Sequence, residues 1–189
     1  MEHSEKITLV TGNAHKAKAF ERLLGFEIDC EKIDLPEIQT VDVREVSAAK
    51  SAAAYDSLQR PVFVDDSGLS IDAWHGLPGA LVKWFLETVG NEGIIRMLAN
   101  EENRSARVIT SIGYKDATQE FVVTGEVLGR IADRPRGDNG FGYAALFIPE
   151  GSNKTFAEMS DDEHDAVSMR ALAARAFYDR LMKAQQLRS

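Results

Sequence analysis

The sequence predicts an α/β fold around a mixed sheet. Short β-rich runs such as Ile7–Val10 and Val62–Val64 stand beside stretches of helical period, the pattern of a sheet covered by helices. The two types are interspersed without strict alternation, so parallel and antiparallel pairs should share one sheet. Of 189 residues, 44% are hydrophobic and 28% charged, a folded composition that one domain over 1–189 accommodates.

Taken in order, Ile7-Thr8-Leu9-Val10 reads as a buried strand entering Thr11-Gly12-Asn13. A helix follows from Ala14, with Ala17, Phe20, Leu23 and Leu24 on one face and Gly25 as its stop. An alanine-rich helix is expected over Glu45–Leu58. The strand Val62–Val64 should end on Asp65-Asp66-Ser67-Gly68, and Leu69, Ile71 and Ala73 alternate as an exposed strand would. Gly76-Leu77-Pro78-Gly79 is a turn signal, before short helices near 81–89 and 92–99. Arg107–Tyr114 and Glu120–Leu128 read as an antiparallel pair, and Tyr143–Ile148 as a further strand behind the glycine-rich Arg136–Gly142. A single long helix is expected over Asp161–Leu187, opened by a capping box of Ser160 and Glu163.

Several classes are set aside by composition. A net charge of −8 without a basic stripe argues against a nucleic-acid-binding surface. No apolar run approaches the ~20 residues of a membrane span. The opening residues lack a signal peptide's regions, and a cytoplasmic setting is the simplest expectation. Cys30 is the only cysteine, which excludes an internal disulfide. An acidic protein that binds phosphates needs local cations and a metal ion to reverse the field.

Two segments carry candidate chemistry. Thr11-Gly12-Asn13-Ala14-His15-Lys16 lies between a strand and a helix, where free N–H groups and the macrodipole favour an anion. The alternative is an ordinary turn with Asn13 as N-cap. Asp65-Asp66-Ser67-Gly68 follows an apolar strand, and adjacent carboxylates suit Mg²⁺, which takes a few carboxylates and keeps several waters. There the alternative is a solvated Asx turn. Glu37 offers a carboxylate on the turn Asp34–Glu37. Lys50 and Lys83 could each simply snorkel from an apolar face. Phe141 and Tyr143 could stack on a base or fill the core.

Together and in this order, TGNAHK (Thr11–Lys16), DLPE (Asp34–Glu37), VDDSGL (Val64–Leu69), GLPG with KWFLE (Gly76–Glu87), PRGDNGFGY (Pro135–Tyr143) and TFAEMSDDEHDAVSMR (Thr155–Arg170) resemble the inosine triphosphate pyrophosphatase family. The likeness covers Ile7 to about Leu181. It implies two lobes around a long mixed sheet, a central nucleotide cleft, a homodimer and magnesium-dependent hydrolysis of ITP, dITP or XTP to the monophosphate and pyrophosphate. By position, Thr11, Gly12, Asn13 and Lys16 correspond to the triphosphate loop, and Glu37 and Asp66 to magnesium-linked carboxylates. Asp66 would help activate water, with Asp65 beside it. Ser67, Lys50 and Lys83 fall on substrate-contacting positions. Phe141, Gly142 and Tyr143 align with the base-stacking segment, and Arg170 with a reader of the base edge.

Three positions depart from the family pattern. Ala144 stands where the family has Asp, His164 where it has Lys, and Met169 where it has His. Alanine and methionine side chains cannot hold a purine edge by hydrogen bonds, so selectivity for ITP and XTP should relax or shift. A nucleotide-binding regulator without turnover is the second reading. The retained Glu37, Asp66, Lys16 and Lys83 count against it.

Overall fold

The computed structural model describes residues 7–186. The opening residues Met1–Lys6 and the expected helix end at Leu187 lie outside them. Seven strands in the described residues form one mixed sheet: β1 (Thr8–Val10), β2 (Asp29–Glu31), β3 (Val62–Ile71), β4 (Pro78–Gly79), β5 (Ser105–Lys115), β6 (Glu120–Ile131) and β7 (Phe147–Pro149). Their order is β2-β1-β3-β5-β6-β7, with β4 against β3. β1 is parallel to β2 and β3, and the other pairs are antiparallel. The mixed sheet expected from the sequence is therefore present.

Six helices among the described residues accompany it: α1 (Ala14–Leu24), α2 (Val43–Leu58), α3 (Val82–Thr88), α4 (Gly90–Met97), α5 (Asp161–Val167) and α6 (Met169–Gln186). α1 begins on Asn13, whose side chain accepts from the His15 and Lys16 N–H groups, and ends on left-handed Gly25 at φ 70°. α2 starts at Val43, two residues before the expected start, because the Asp42 side chain caps it through the Arg44 N–H. The capping box of Ser160 and Glu163 opens α5.

α2 and α6 cover opposite faces of β5 and β6. Side chains alternate along a strand, so Ser111 and Gly113 share one face while Thr110, Ile112 and Tyr114 share the other. On the first face, a Cβ at Gly113 would overlap the Ser47 carbonyl of α2. The Ser47 and Ser111 hydroxyls are bonded at 2.6 Å. On the second face, a Cβ at Gly125 would overlap the Met169 carbonyl of α6. Here Phe63 packs at 5.3 Å against Phe20 and 4.9 Å against Phe177, all three fully buried. Each such pair adds roughly 0.5–1.5 kcal/mol beyond its buried area.

Three expectations need correction. First, within the stretch 62–73 read as strand, turn and exposed strand, Val62–Ile71 is one continuous strand. β5 pairs with β3 from Val62↔Lys115 to Ile71↔Ala106, so its ladder overrides the local turn propensity of Asp-Ser-Gly. Leu69 and Ile71 are fully buried, and Ala73 lies in a short 3₁₀ turn. Second, Tyr143–Leu146 is not strand. The left-handed Gly140 and Gly142, at φ 77° and 65°, bend the chain, and Leu146 N–H donates to the Tyr143 carbonyl at 2.9 Å. Third, the long C-terminal helix breaks at Ser168, whose extended backbone (ψ 147°) separates α5 from α6. Its hydroxyl accepts from the Ala171 N–H at 3.2 Å, restarting the helix.

The middle of the sheet is polar. Asp65, Asp66 and Ser67 interrupt the apolar run of β3 opposite Ile112, Ser111 and Thr110 of β5. An apolar core lies to either side. One gathers Leu69, Ile71, Val108, Ile131, Phe147 and Phe156; the other gathers Leu9, Phe20, Phe63, Ile112, Tyr114 and Phe177. Those two cores are the two lobes, and the polar stretch between them is where a cleft opens.

Candidate functional site

A cleft of about 720 Å³ runs between the lobes. The sequence-predicted residues Thr11, Gly12, Asn13, Lys16, Glu37, Lys50, Asp66, Ser67, Lys83, Phe141, Gly142, Tyr143, Ala144, His164, Met169 and Arg170 all line it. Asp65 alone of that set does not.

The reason is strand alternation. Within a continuous strand, adjacent side chains point to opposite faces. Asp65 pairs with Ile112 and so turns toward α6, where Arg170 Nε donates to its Oδ2 at 3.2 Å. Lys16 Nζ lies 3.0 Å from its Oδ1 and donates to its backbone carbonyl at 2.7 Å. The Asp65 side chain is fully buried. Burial pushes its carboxyl up, but Lys16 and then Arg170 outweigh that and hold it below the ordinary carboxylate range. The Lys16 charge, unfavourable near a helix N-terminus, is thus already met by Asp65.

Asp66 pairs with Ser111 and so turns toward α2. Its Oδ1 accepts from Lys50 Nζ at 2.8 Å, and the same ammonium lies 2.9 Å from Glu37 Oε2. Lys50 therefore links the two carboxylates. Burial depresses its pKa, but Asp66 and Glu37 raise it more. Asp66 Oδ2 is buried and has no hydrogen-bond partner among the described residues. Burial raises the Asp66 carboxyl above its usual range, despite the opposing charges of Lys16 and Lys50. A buried oxygen without a partner calls for a proton, water or cation.

Glu37 and Asp66 are of the residue type that Mg²⁺ takes. No group of three or more His, Cys, Asp or Glu side chains placed to share a metal ion occurs among the described residues. Mg²⁺ is held by one or two carboxylates plus substrate phosphates and waters, and Glu37 with the unpartnered Asp66 oxygen supplies that number.

One end of the cleft is built from the glycine-rich loop and α5–α6. Phe141 is exposed, with the His15 ring 5.8 Å away and the Arg170 guanidinium 5.7 Å from its centroid. Tyr143 is a core aromatic instead: it is buried, and its hydroxyl donates to the Gly68 carbonyl at 3.4 Å. Of the two aromatics, only Phe141 has a face open to a ligand. Met169 is buried in the same core, and Ala144 packs against it. Arg170 faces Asp65 and the Ser67 hydroxyl, at 3.5 Å from the latter, so its donors are partly committed. Lys83 is largely exposed and only 3.9 Å from Glu87.

His164 lies edge-on to Phe156 at 4.8 Å. Burial and the Arg170 charge lower its pKa below 6.5, against a smaller opposing pull from Asp165. With the folded pKa below the unfolded one, the unfolded state binds more protons as pH falls through 6.5. The stability His164 contributes is complete above about pH 6.5 and is lost below it. His164→Gln should flatten that part of the melting-temperature profile between pH 7.5 and 5.5. An unchanged slope would show that the imidazole is solvated in the fold.

Cleft residues to which the sequence assigned no individual role include His15, Lys18, Arg22 and Asp165. The first three were legible as one face of α1, spaced at i, i+3 and i+7.

Comparison with known proteins agrees with this architecture. Residues 7–180 match the Ham1 family. A dITP/XTP pyrophosphatase of Methanopyrus kandleri is 41% identical over 176 residues, covering 91% of this chain and 94% of that protein. An inosine triphosphate pyrophosphatase of Trypanosoma cruzi is 42% identical over 90% of this chain and 89% of its own length. The solved Ham1 protein of Staphylococcus aureus superposes with a TM-score of 0.84 at 26% identity, covering 95% of this chain and all of that one. A match that spans nearly every described element, from β1 into α6, leaves one conclusion: the chain belongs to the Ham1 family.

Proposed function

We propose that this chain is a nucleoside triphosphate pyrophosphatase acting on ITP-, dITP- or XTP-type nucleotides. The observation that carries the reading is the Asp66 carboxylate, half bonded to Lys50 and half unpartnered, in a cleft between a phosphate-type helix start and an exposed aromatic ring. The relatives that support it are named dITP/XTP pyrophosphatase and inosine triphosphate pyrophosphatase.

In this reading the triphosphate lies along Thr11–Lys16 and the base stacks on Phe141. Gly12 admits the phosphate close to the backbone, while Asn13 holds the loop through its cap. Lys50 and Lys83 neutralise charge on the pyrophosphate leaving group. Lys16, anchored on Asp65, sets a positive potential where the phosphates lie. Asp66 orients or deprotonates the water that cleaves between the α- and β-phosphates. Glu37 and Asp66 would hold Mg²⁺, which when bound adds charge neutralisation at the phosphates. Cytoplasmic placement and a homodimer belong to the proposal through the family resemblance. The described residues contain no helix long and apolar enough to cross a membrane.

Pyrophosphate release from ITP, dITP, XTP, GTP and ATP, with and without Mg²⁺, tests the reading. Magnesium-dependent release from the inosine and xanthosine nucleotides is expected. Absence of release from every nucleotide would favour a regulator that binds without turnover. Lys16→Ala and Lys83→Ala should each lower kcat/KM by about one to two decades, since a charge-assisted contact is worth roughly 1.5–3 kcal/mol. Lys83 should fall at the lower end, being the more solvated. Parental kcat/KM in both variants would place the phosphates elsewhere.

A further inference from the structure

Ala144 and Met169 bring no side-chain hydrogen bond to the base end of the cleft, yet a charged pair lies close by. Arg22 stands about 9 Å of helix rise beyond Lys16 along α1, toward the end of the cleft formed by α5. Its Nε donates to Asp165 Oδ2 at 2.5 Å and its Nη2 to Asp165 Oδ1 at 3.0 Å. Asp161 Oδ2 lies 3.7 Å from Nη1, and His164 Nδ1 is 3.7 Å from Asp165 Oδ1. Arg22 and Asp165 both line the cleft. The pair joins an element of the phosphate side to the helix that carries the base end.

The fork-to-fork contact leaves chemistry unspent. A guanidinium has five N–H donors and a carboxylate about four acceptor sites, and this contact uses two of each. What remains is a fixed donor beside a fixed acceptor. A 6-oxopurine shows the complement: the O6 acceptor beside the N1–H donor. Adenine shows the reverse, an N6 amino donor beside an N1 acceptor.

We propose that Arg22 and Asp165 read the base edge in this chain, Arg22 donating to O6 and Asp165 accepting from N1–H, so that 6-oxopurines are selected over adenine. The proposal deepens the pyrophosphatase reading and rests on its placement of the base. It also refines the expectation drawn from Ala144, His164 and Met169. Selectivity against ATP is retained through a different pair. Selectivity against GTP, which shares the O6 and N1–H edge, is not supplied by these two residues.

Binding of IMP and AMP, titrated by calorimetry, reads the inference independently of turnover. The parent should bind IMP at least about tenfold more tightly than AMP, the worth of one discriminating hydrogen bond to a charged group. Asp165→Asn, nearly isosteric, should reduce that ratio toward one. The double variant Arg22→Asp with Asp165→Arg keeps an ion pair between α1 and α5 but exchanges donor and acceptor, so its ratio should fall to one or invert. Equal binding of IMP and AMP by the parent would overturn the inference. So would a parental ratio in Asp165→Asn, or in the double variant at parental melting temperature, since the pair would then be a strut between helices. Pyrophosphate release by the parent from ITP tests the underlying reaction separately. Release from ITP together with an unselective base site would sink this inference and leave the function standing.

Discussion

Asp66→Asn is expected to remove pyrophosphate release by roughly two to four decades, the range for loss of a positioned proton acceptor, while the fold survives. The substitution keeps an oxygen for Lys50 to donate to and preserves the shape of the side chain. It removes the negative charge that could accept a proton from water or hold Mg²⁺. Little stability should be lost. Burial raises the Asp66 carboxyl above its normal range, so folding gains little from its charge. The measurement is turnover under saturating Mg²⁺, alongside a thermal melt. A folded Asp66→Asn protein with near-parental turnover would dismiss Asp66 from the chemistry. Glu37→Gln provides the companion measurement: the half-saturating Mg²⁺ concentration should rise. An unchanged magnesium titration would remove Glu37 from the ligand set.

The neighbouring carboxylate should behave in the opposite way. Asp65→Ala is expected to destabilise the fold by about 3–5 kcal/mol, the usual cost of breaking a buried ion pair by deleting one partner. Asp65 is fully buried and stands between Lys16 of α1 and Arg170 of α6. Its removal leaves two cations facing one another, with Arg170 itself 6% exposed. The contrast with Asp66 follows from the alternation of a strand: one carboxylate ties helices together on one face, the other meets the cleft on the α2 face. Urea unfolding of the two variants checks the contrast. A loss below about 1 kcal/mol for Asp65→Ala, the scale of a surface ion pair, would mean that the cluster is hydrated.

The sequence by itself determined a good part of this. The hydrophobic period placed α1, and the capping residues marked its ends and the start of α5. The β-rich runs placed β1, most of β5 and most of β6, because these signals act over a few residues. The ordered set of motifs assigned the family. It also singled out the residues that gather in the cleft, since their chemistry was written in residue type and spacing. Beyond that range the sequence was ambiguous. Asp-Asp-Ser-Gly favours a turn when read locally, and only the continuous ladder to β5 makes it strand. With the strand come the opposite facings of Asp65 and Asp66 and their separation into a structural and a cleft-facing carboxylate. The β2 strand, Asp29-Cys30-Glu31, has no apolar alternation and exists because β1 offers it a parallel edge. The break at Ser168 is invisible in a helical period that runs through it, yet it brings Ser168, Met169 and Arg170 to the cleft. Tyr143 and Phe141 carry similar aromatic signals two residues apart, and packing alone sends one into the core and the other toward solvent. The Arg22–Asp165 pair spans 143 residues, and such a pairing is set by the docking of helices onto a sheet. Local energies choose elements and chemical types. The facing of a side chain, and the partner it meets there, are decided when the elements pack.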